Sequence, residues 1–203
     1  MIYGSEEKVK KAINIVLAAL MVLAIGACAG KKSQMGSTAE KTVKIGNQIW
    51  MTENLNDASK GGKCYEDKPE NCKKYGRLYT WKEATKACPK GWHLPSNEEW
   101  QTLVDFAGGN EIAGKKLKAK IGWEEGNGTD EYGFSALPGG FCTPDGSFLI
   151  VGGLGFWWSA TEYDIGDIYF RGMNYNNSKV NNGKMGKDNI DKSGLFSVRC
   201  IKD

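Results

Sequence analysis

Apart from Cys28, five cysteines occur in this 203-residue chain: Cys64, Cys72, Cys88, Cys142 and Cys200. Their spacing constrains the fold more than any other feature. No CxxC pair occurs among them. The single histidine, His93, belongs to no CxxC…HxxxH arrangement, so a zinc ribbon does not fit. Cysteines without metal spacing point to disulfides and therefore to an oxidising compartment. Five is an odd number, so at least one thiol is free or pairs with another chain. Cys64 and Cys72 are close enough along the chain to suggest a local staple.

The N-terminus agrees with export. Lys8, Lys10 and Lys11 precede the apolar stretch "AINIVLAALMVLAIGACAG", which is short for a bilayer crossing of about 20 residues and fits a secretory signal. It ends in Ile25-Gly26-Ala27-Cys28, which resembles a bacterial lipobox, so Cys28 is expected to be the lipidated first residue of the mature protein. An uncleaved anchor helix, or an ordinary signal peptide with a chance cysteine, is the alternative. Ala29, where an aspartate would retain a lipoprotein at the inner membrane, points to an outer-membrane lipoprotein of the cell envelope, held to the membrane through its lipid alone. Residues 28–42 read as a flexible, small and polar tether. Residues 43–203 suffice for one domain with a real core. Loss of residues 1–27 removes three lysines and two glutamates and takes the net charge from +3 to +2. Such a nearly neutral chain has no basic block for nucleic acid.

Within 43–203, "VKIGNQIWMTENL" reads as a short hairpin and the polar stretch 56–76 as a loop. A helix is expected over 79–88, opened by the Thr80/Glu83 capping box and stopped by Pro89. A second begins at Ser96 with the Ser96/Glu99 box, buries Trp100, Leu103, Val104 and Ala107, and ends at Gly108-Gly109. His93 lies in the connector between them. With no second histidine and no nucleophile motif, it is expected to be structural, its imidazole hydrogen-bonded to backbone. Glu98 and Glu99 are explained by capping and the helix dipole. No catalytic residue is assigned, and a hydrolase is the least favoured reading. From residue 122 onward, short apolar runs alternate with Gly, Asn and Asp. Strands are expected over 134–137, 147–151, 156–161, 168–175 and 195–201. Helices followed by antiparallel strands make an α+β domain.

The blocks "GRLYTWKEA", "CPKGWHLPSNEEW", "GFSALPGGF…DGSF…GFWWSATE" and "FSVRC" closely resemble the Fibrobacter succinogenes major paralogous domain. That family is similar to C-type lectin-like and formylglycine-generating-enzyme-like folds and is common on secreted or lipid-anchored bacterial proteins. The resemblance covers nearly all of 42–203. It implies two helices followed by a twisted antiparallel β-region. It also implies a disulfide from the end of the first helix to the last strand, Cys88 to Cys200, whose closure is worth about 4–5 kcal/mol in the chain-entropy model. Cys64–Cys72 is then the second pair, and Cys142 a buried free thiol. The Glu-Pro-Asn, Gln-Pro-Asp and Trp-Asn-Asp triplets of calcium-dependent lectins are missing, and "EYDIGD" (162–167) reads as a solvated turn, so no metal or other cofactor is expected. A formylglycine-generating activity would need a cysteine pair near the C-terminus, where only Cys142 and Cys200 stand.

A ligand face is sought where aromatic and amide side chains concentrate. Trp157 and Trp158 are neighbours in a strand and must point to opposite faces; burial of both in the core is the expected outcome, and Trp158 is the candidate stacking platform otherwise. The stretch 167–189 carries Tyr169, Arg171, Asn174, Tyr175, Asn176, Asn177, Ser178, Asn181 and Asn182, a composition suited to recognition. The plain alternative is a solvated hairpin turning at Asn182-Gly183. Trp158, Tyr169, Arg171, Asn174, Tyr175 and Asn177 are therefore the expected ligand-binding residues. The expected function is an envelope binding or adhesion module for an extracellular glycan or surface protein. A structural part of a surface assembly is the alternative.

Overall fold

The computed structural model of the chain describes residues 41–125, 128–164, 167–186 and 194–203. The signal segment, Cys28, nearly all of the tether and residues 187–189 of the candidate face lie outside the described residues.

The chain opens with the expected hairpin, β1 (Thr42–Ile45) against β2 (Gln48–Met51). The stretch read as a loop contains a helix, α1 (Pro69–Tyr75). Pro69 at its first turn costs no hydrogen bond there, and Gly76 closes it. After β3 (Leu78–Tyr79), the Thr80/Glu83 capping box forms as expected and starts α2 (Trp81–Ala84). This helix is shorter than the expected 79–88, because Lys86 and Ala87 donate three residues back and tighten the end into a turn before Pro89. Next come β4 (Trp92–His93) and α3 (Asn97–Phe106), whose Ser96/Glu99 box is also formed. A further helix, α4 (Ala113–Leu117), lacks a side-chain cap, and sequence gave no sign of it. It packs so closely on the backbone at Ser178 and Lys179 that a Cβ on Gly114 would strike the Lys179 carbonyl.

The β-region comprises β5 (Phe141–Cys142), β6 (Phe148–Leu149), β7 (Leu154–Asp164), β8 (Asp167–Asn174), β9 (Val180–Gly186), β10 (Phe196–Ser197) and β11 (Ile201–Lys202). Three sheets result, with orders β1-β2-β11-β4, β3-β10-β7-β8-β9 and β5-β6. Their pairings are antiparallel except for β10 beside β7. The expected strand 134–137 does not form. Ser135 takes a left-handed backbone, held by its N–H and hydroxyl donating to Asp130 at 2.7 and 2.6 Å. The expected strand 195–201 is broken in two. Val198–Cys200 crosses between sheets, with the Cys200 and Val198 carbonyls accepting from Met51 N and Leu55 N.

This crossing places Arg199 at the centre of the domain. Its guanidinium is fully buried and donates to Asn54 Oδ1 (2.8 and 3.1 Å), to the Met51 carbonyl (3.1 Å) and to the Phe134 carbonyl. Burial pulls its pKa down to about 9, outweighing the upward pull of Asp130 and Glu53. Asn54 is the hub, for its Oδ1 also accepts from Trp157 Nε1 at 2.9 Å and its Nδ2 donates to the Tyr75 carbonyl at 2.8 Å.

The neighbouring tryptophans of β7 do point to opposite faces, and both faces are covered. Trp157 packs with Trp50, Trp100, Leu103, Val104 and Phe134 beneath α3. Trp158 packs with Tyr79, Ala84, Leu94, Ile168 and Phe196, stacking on Phe196 at 4.3 Å, and its indole donates to the Tyr79 carbonyl at 2.7 Å. Both expected disulfides are formed, Cys64–Cys72 and Cys88–Cys200, and Cys142 is a buried free thiol.

Candidate ligand-binding groove

The turn between β8 and β9 spans Tyr175 to Lys179, so the chain reverses earlier than Asn182-Gly183. Those two residues lie inside β9. There Gly183 pairs with Phe170, whose ring covers the glycine so closely that no Cβ fits. The turn is built from its own amides. Asn174 Oδ1 accepts from Asn176 N (3.3 Å), Asn177 Oδ1 accepts from Lys179 N (2.9 Å), and Asn177 Nδ2 donates to Asn176 Oδ1 (3.0 Å). α4 braces it from one side, with Lys115 N donating to the Ser178 carbonyl (3.2 Å). The Gly153 carbonyl braces it from the other, accepting from Tyr175 N (2.9 Å).

Lys118 closes the arrangement. Its side chain is almost wholly buried, with Nζ 5.1 Å from the Trp123 ring centroid, and it donates to the Asn174 (3.0 Å) and Asn177 (2.8 Å) carbonyls. Burial lowers its pKa. A cation clamping two turn carbonyls pre-organises the loop, so the side chains of Tyr175, Asn176 and Ser178 are displayed on a fixed backbone.

Between this turn, α4 and the segment after it runs a groove of about 440 Å³, lined by Lys115, Lys118, Glu125, Tyr175, Asn176, Asn177 and Ser178. The volume lies within the roughly 300–1,000 Å³ usual for small-molecule sites. The lining offers a cation, an anion, two amides, hydroxyls and one aromatic ring. It can hydrogen-bond a ligand rich in hydroxyls or amides and stack one apolar face.

Of the residues expected from sequence, Tyr175 and Asn177 line this groove and Asn174 supports it through its carbonyl. Tyr169 stands apart, six positions back along β8 and therefore roughly 20 Å away. It makes an edge contact with Tyr163 at 5.2 Å, and Lys184 Nζ sits over the Tyr163 ring. Two expectations are corrected. Trp158 is no platform, because Ala84 of α2 and Leu94 pack over its face of the sheet and Phe196 of the adjoining β10 stacks on its ring. Arg171 does not face outward. It is fully buried and straps α3 to the sheet, with Nη1 donating to Asn97 Oδ1 (2.8 Å) and Asn182 Oδ1, and Nη2 to the Asn97 carbonyl (3.0 Å). Burial pulls its pKa down to about 10. Lys115, Lys118 and Glu125 were missed, and no local signal sets Lys118 apart from its neighbours in "KKLKAK".

His93 differs from expectation in its partners. Its ring nitrogens meet carboxylates, Nδ1 with Asp203 Oδ1 at 2.7 Å and Nε2 with Glu99 Oε1 at 2.9 Å. Glu99 Oε2 meanwhile accepts from Ser96 N at 2.8 Å, so one carboxylate caps α3 and holds the imidazole. Burial pulls the His93 pKa down, but the bonds to Asp203 and Glu99 outweigh it and the net shift is upward. The residue joins the C-terminus to the start of α3. Among the described residues, no group of three or more His, Cys, Asp or Glu side chains is placed to hold a metal ion.

Comparison with known families settles the lineage. The family model for the Fibrobacter succinogenes major domain matches residues 43–202. The chain belongs to that family. No curated protein and no solved structure matches it. The family boundary coincides with the described domain, from the first strand to the last, and takes in both disulfides and every residue of the groove.

Proposed function

We propose that this member of the Fibrobacter succinogenes major domain family is a binding module of C-type lectin-like architecture. In this reading Cys28 anchors it by lipid to the outer membrane, and 28–42 is the tether that lets it reach its ligand. The ligand is an extracellular glycan, with a surface protein as the second choice, and it binds in the groove under the β8–β9 turn. The observation that carries this is the pre-organised turn, in which Lys118 fixes the Asn174 and Asn177 carbonyls while Tyr175, Asn176 and Ser178 stay available beside Lys115 and Glu125. The tie from the turn that ends α2 to the last strands, Cys88–Cys200, supports the lectin-like reading.

A glycan array probed with the full chain, followed by calorimetry on any hit, tests this. Tyr175→Ala and Asn176→Ala are expected to weaken binding at least tenfold, and Tyr169→Ala to leave it unchanged. An empty array, or a hit indifferent to both groove substitutions, refutes the glycan reading. One stable protein neighbour found by cross-linking on intact cells would then favour the surface-protein partner.

A further inference from the structure

Each disulfide joins a buried cysteine to a half-buried one, Cys200 to Cys88 and Cys72 to Cys64. What surrounds them differs: Cys200 packs among Met51, Leu94, Trp158 and Phe196, whereas the Cys64–Cys72 sulfurs lie against a cation. The Arg77 guanidinium rests against this second bridge, Nη1 donating to Cys72 Sγ at 3.6 Å and to Cys64 Sγ at 3.8 Å. Its other nitrogens are tethered, Nε to the Gly61 carbonyl (3.0 Å) and Nη2 to the Gly62 carbonyl (2.7 Å). Among the described residues Arg77 enters no ion pair with a carboxylate, so its charge faces the sulfurs. A fixed cation there does little for a neutral disulfide but stabilises a thiolate, which speeds its departure and makes the bridge easier to reduce.

We propose that Cys64–Cys72 is an exchangeable disulfide, opened by an external dithiol that attacks Cys64 Sγ, with Arg77 stabilising Cys72 as the departing thiolate. The attacking thiolate forms a bond to Cys64 Sγ, the Cys64–Cys72 bond breaks, and its electron pair goes to Cys72 Sγ against the guanidinium. The second thiol of the dithiol then attacks the mixed disulfide at the reagent's own sulfur and releases Cys64 as a thiolate. The dithiol leaves oxidised by two electrons and the protein gains two thiols. The resident thiol, Cys142, does not replace this attacker, since it is buried and donates to the Thr143 carbonyl at 3.4 Å. A cleft of about 260 Å³, lined by Gly61, Gly62, Lys63 and Thr80 and by Cys142 and Thr143 across from them, flanks the segment that carries Cys64.

The test titrates the folded full chain with mixtures of reduced and oxidised dithiothreitol, quenches with an alkylating agent and maps each bridge by mass. Cys64–Cys72 is expected to open at least tenfold faster than Cys88–Cys200 and at a less reducing poise. In Arg77→Gln its opening should slow about tenfold and its equilibrium shift about tenfold toward the disulfide, about 30 mV more reducing. A merely structural Arg77 gives the opposite sign, since losing it would loosen the segment and ease reduction. Equal behaviour of the two bridges in the wild type, or easier opening in R77Q, overturns the proposal. If R77Q does not fold, Arg77→Lys is read instead. Opening at the wild-type rate or moderately slower supports the proposal, and faster opening refutes it.

Discussion

The two bridges close loops of very different length, and this yields a quantitative expectation. Cys88–Cys200 spans 112 residues and Cys64–Cys72 spans 8. In the chain-entropy model the first stabilises by about 5 kcal/mol and the second by about 2.5 kcal/mol. Replacing Cys200 by alanine also removes a fully buried sulfur from the cluster of Met51, Leu94, Trp158 and Phe196, which adds a cavity cost of about 1 kcal/mol. The C88A/C200A variant should therefore lose about 6 kcal/mol, against about 2.5 kcal/mol for C64A/C72A. Since domains of this size are held by about 5–15 kcal/mol in total, C88A/C200A should be near its unfolding threshold at 25 °C. Urea unfolding followed by tryptophan fluorescence measures both. With a slope of about 2 kcal/mol per molar, the two midpoints should differ by well over about 1 M. A C88A/C200A variant as stable as C64A/C72A would refute the reasoning, because loop length and burial would then have no bearing on what each bridge contributes.

Two further outcomes follow from the interior and from the C-terminus. Asn54→Ala should destabilise by about 3–5 kcal/mol in urea unfolding, since it strips Arg199 and the Trp157 indole of a shared acceptor inside the core. A loss below about 1 kcal/mol would show that Arg199 finds other partners. The folded pKa of His93 lies above its unfolded value of about 6.5, so the stability from its bonds to Asp203 and Glu99 is whole below that pH and is lost as pH rises through the folded pKa. Proton NMR of the single imidazole should show the raised pKa, and His93→Gln should remove that part of the pH dependence. An imidazole titrating at or below 6.5 contradicts both carboxylate contacts.

Much of the fold was legible because its determinants are local. The Thr80/Glu83 and Ser96/Glu99 boxes set two helix starts with four residues, whatever packs on them. The Trp157-Trp158 pair required opposite faces on any strand. Burial of both is the expected outcome and is what forms, with α3 over one face and α2 with Leu94 over the other. Helix α4 was invisible because it has no cap of its own and is held by the backbone at Ser178 and Lys179.

The site divides along the same line. A polar side chain in an Asn/Tyr-rich strand can serve as ligand contact or as internal strap, and the residue across from it decides. Arg171 faces Asn97 at the start of α3 and is consumed there, whereas Tyr175 lies past the end of β8, half-buried against the core and lining the groove. The Asn182-Gly183 pair shows a strong local signal losing to a non-local one. Its preference for a hairpin turn is overridden because the Phe170 ring needs a neighbour without a Cβ, and this moves the reversal to Tyr175–Lys179, within reach of Lys118. The groove thus exists where it does because one aromatic ring on β8 requires a glycine on β9. A side chain forced onto Gly183 would disturb the Tyr175–Lys179 turn without touching any residue of the groove.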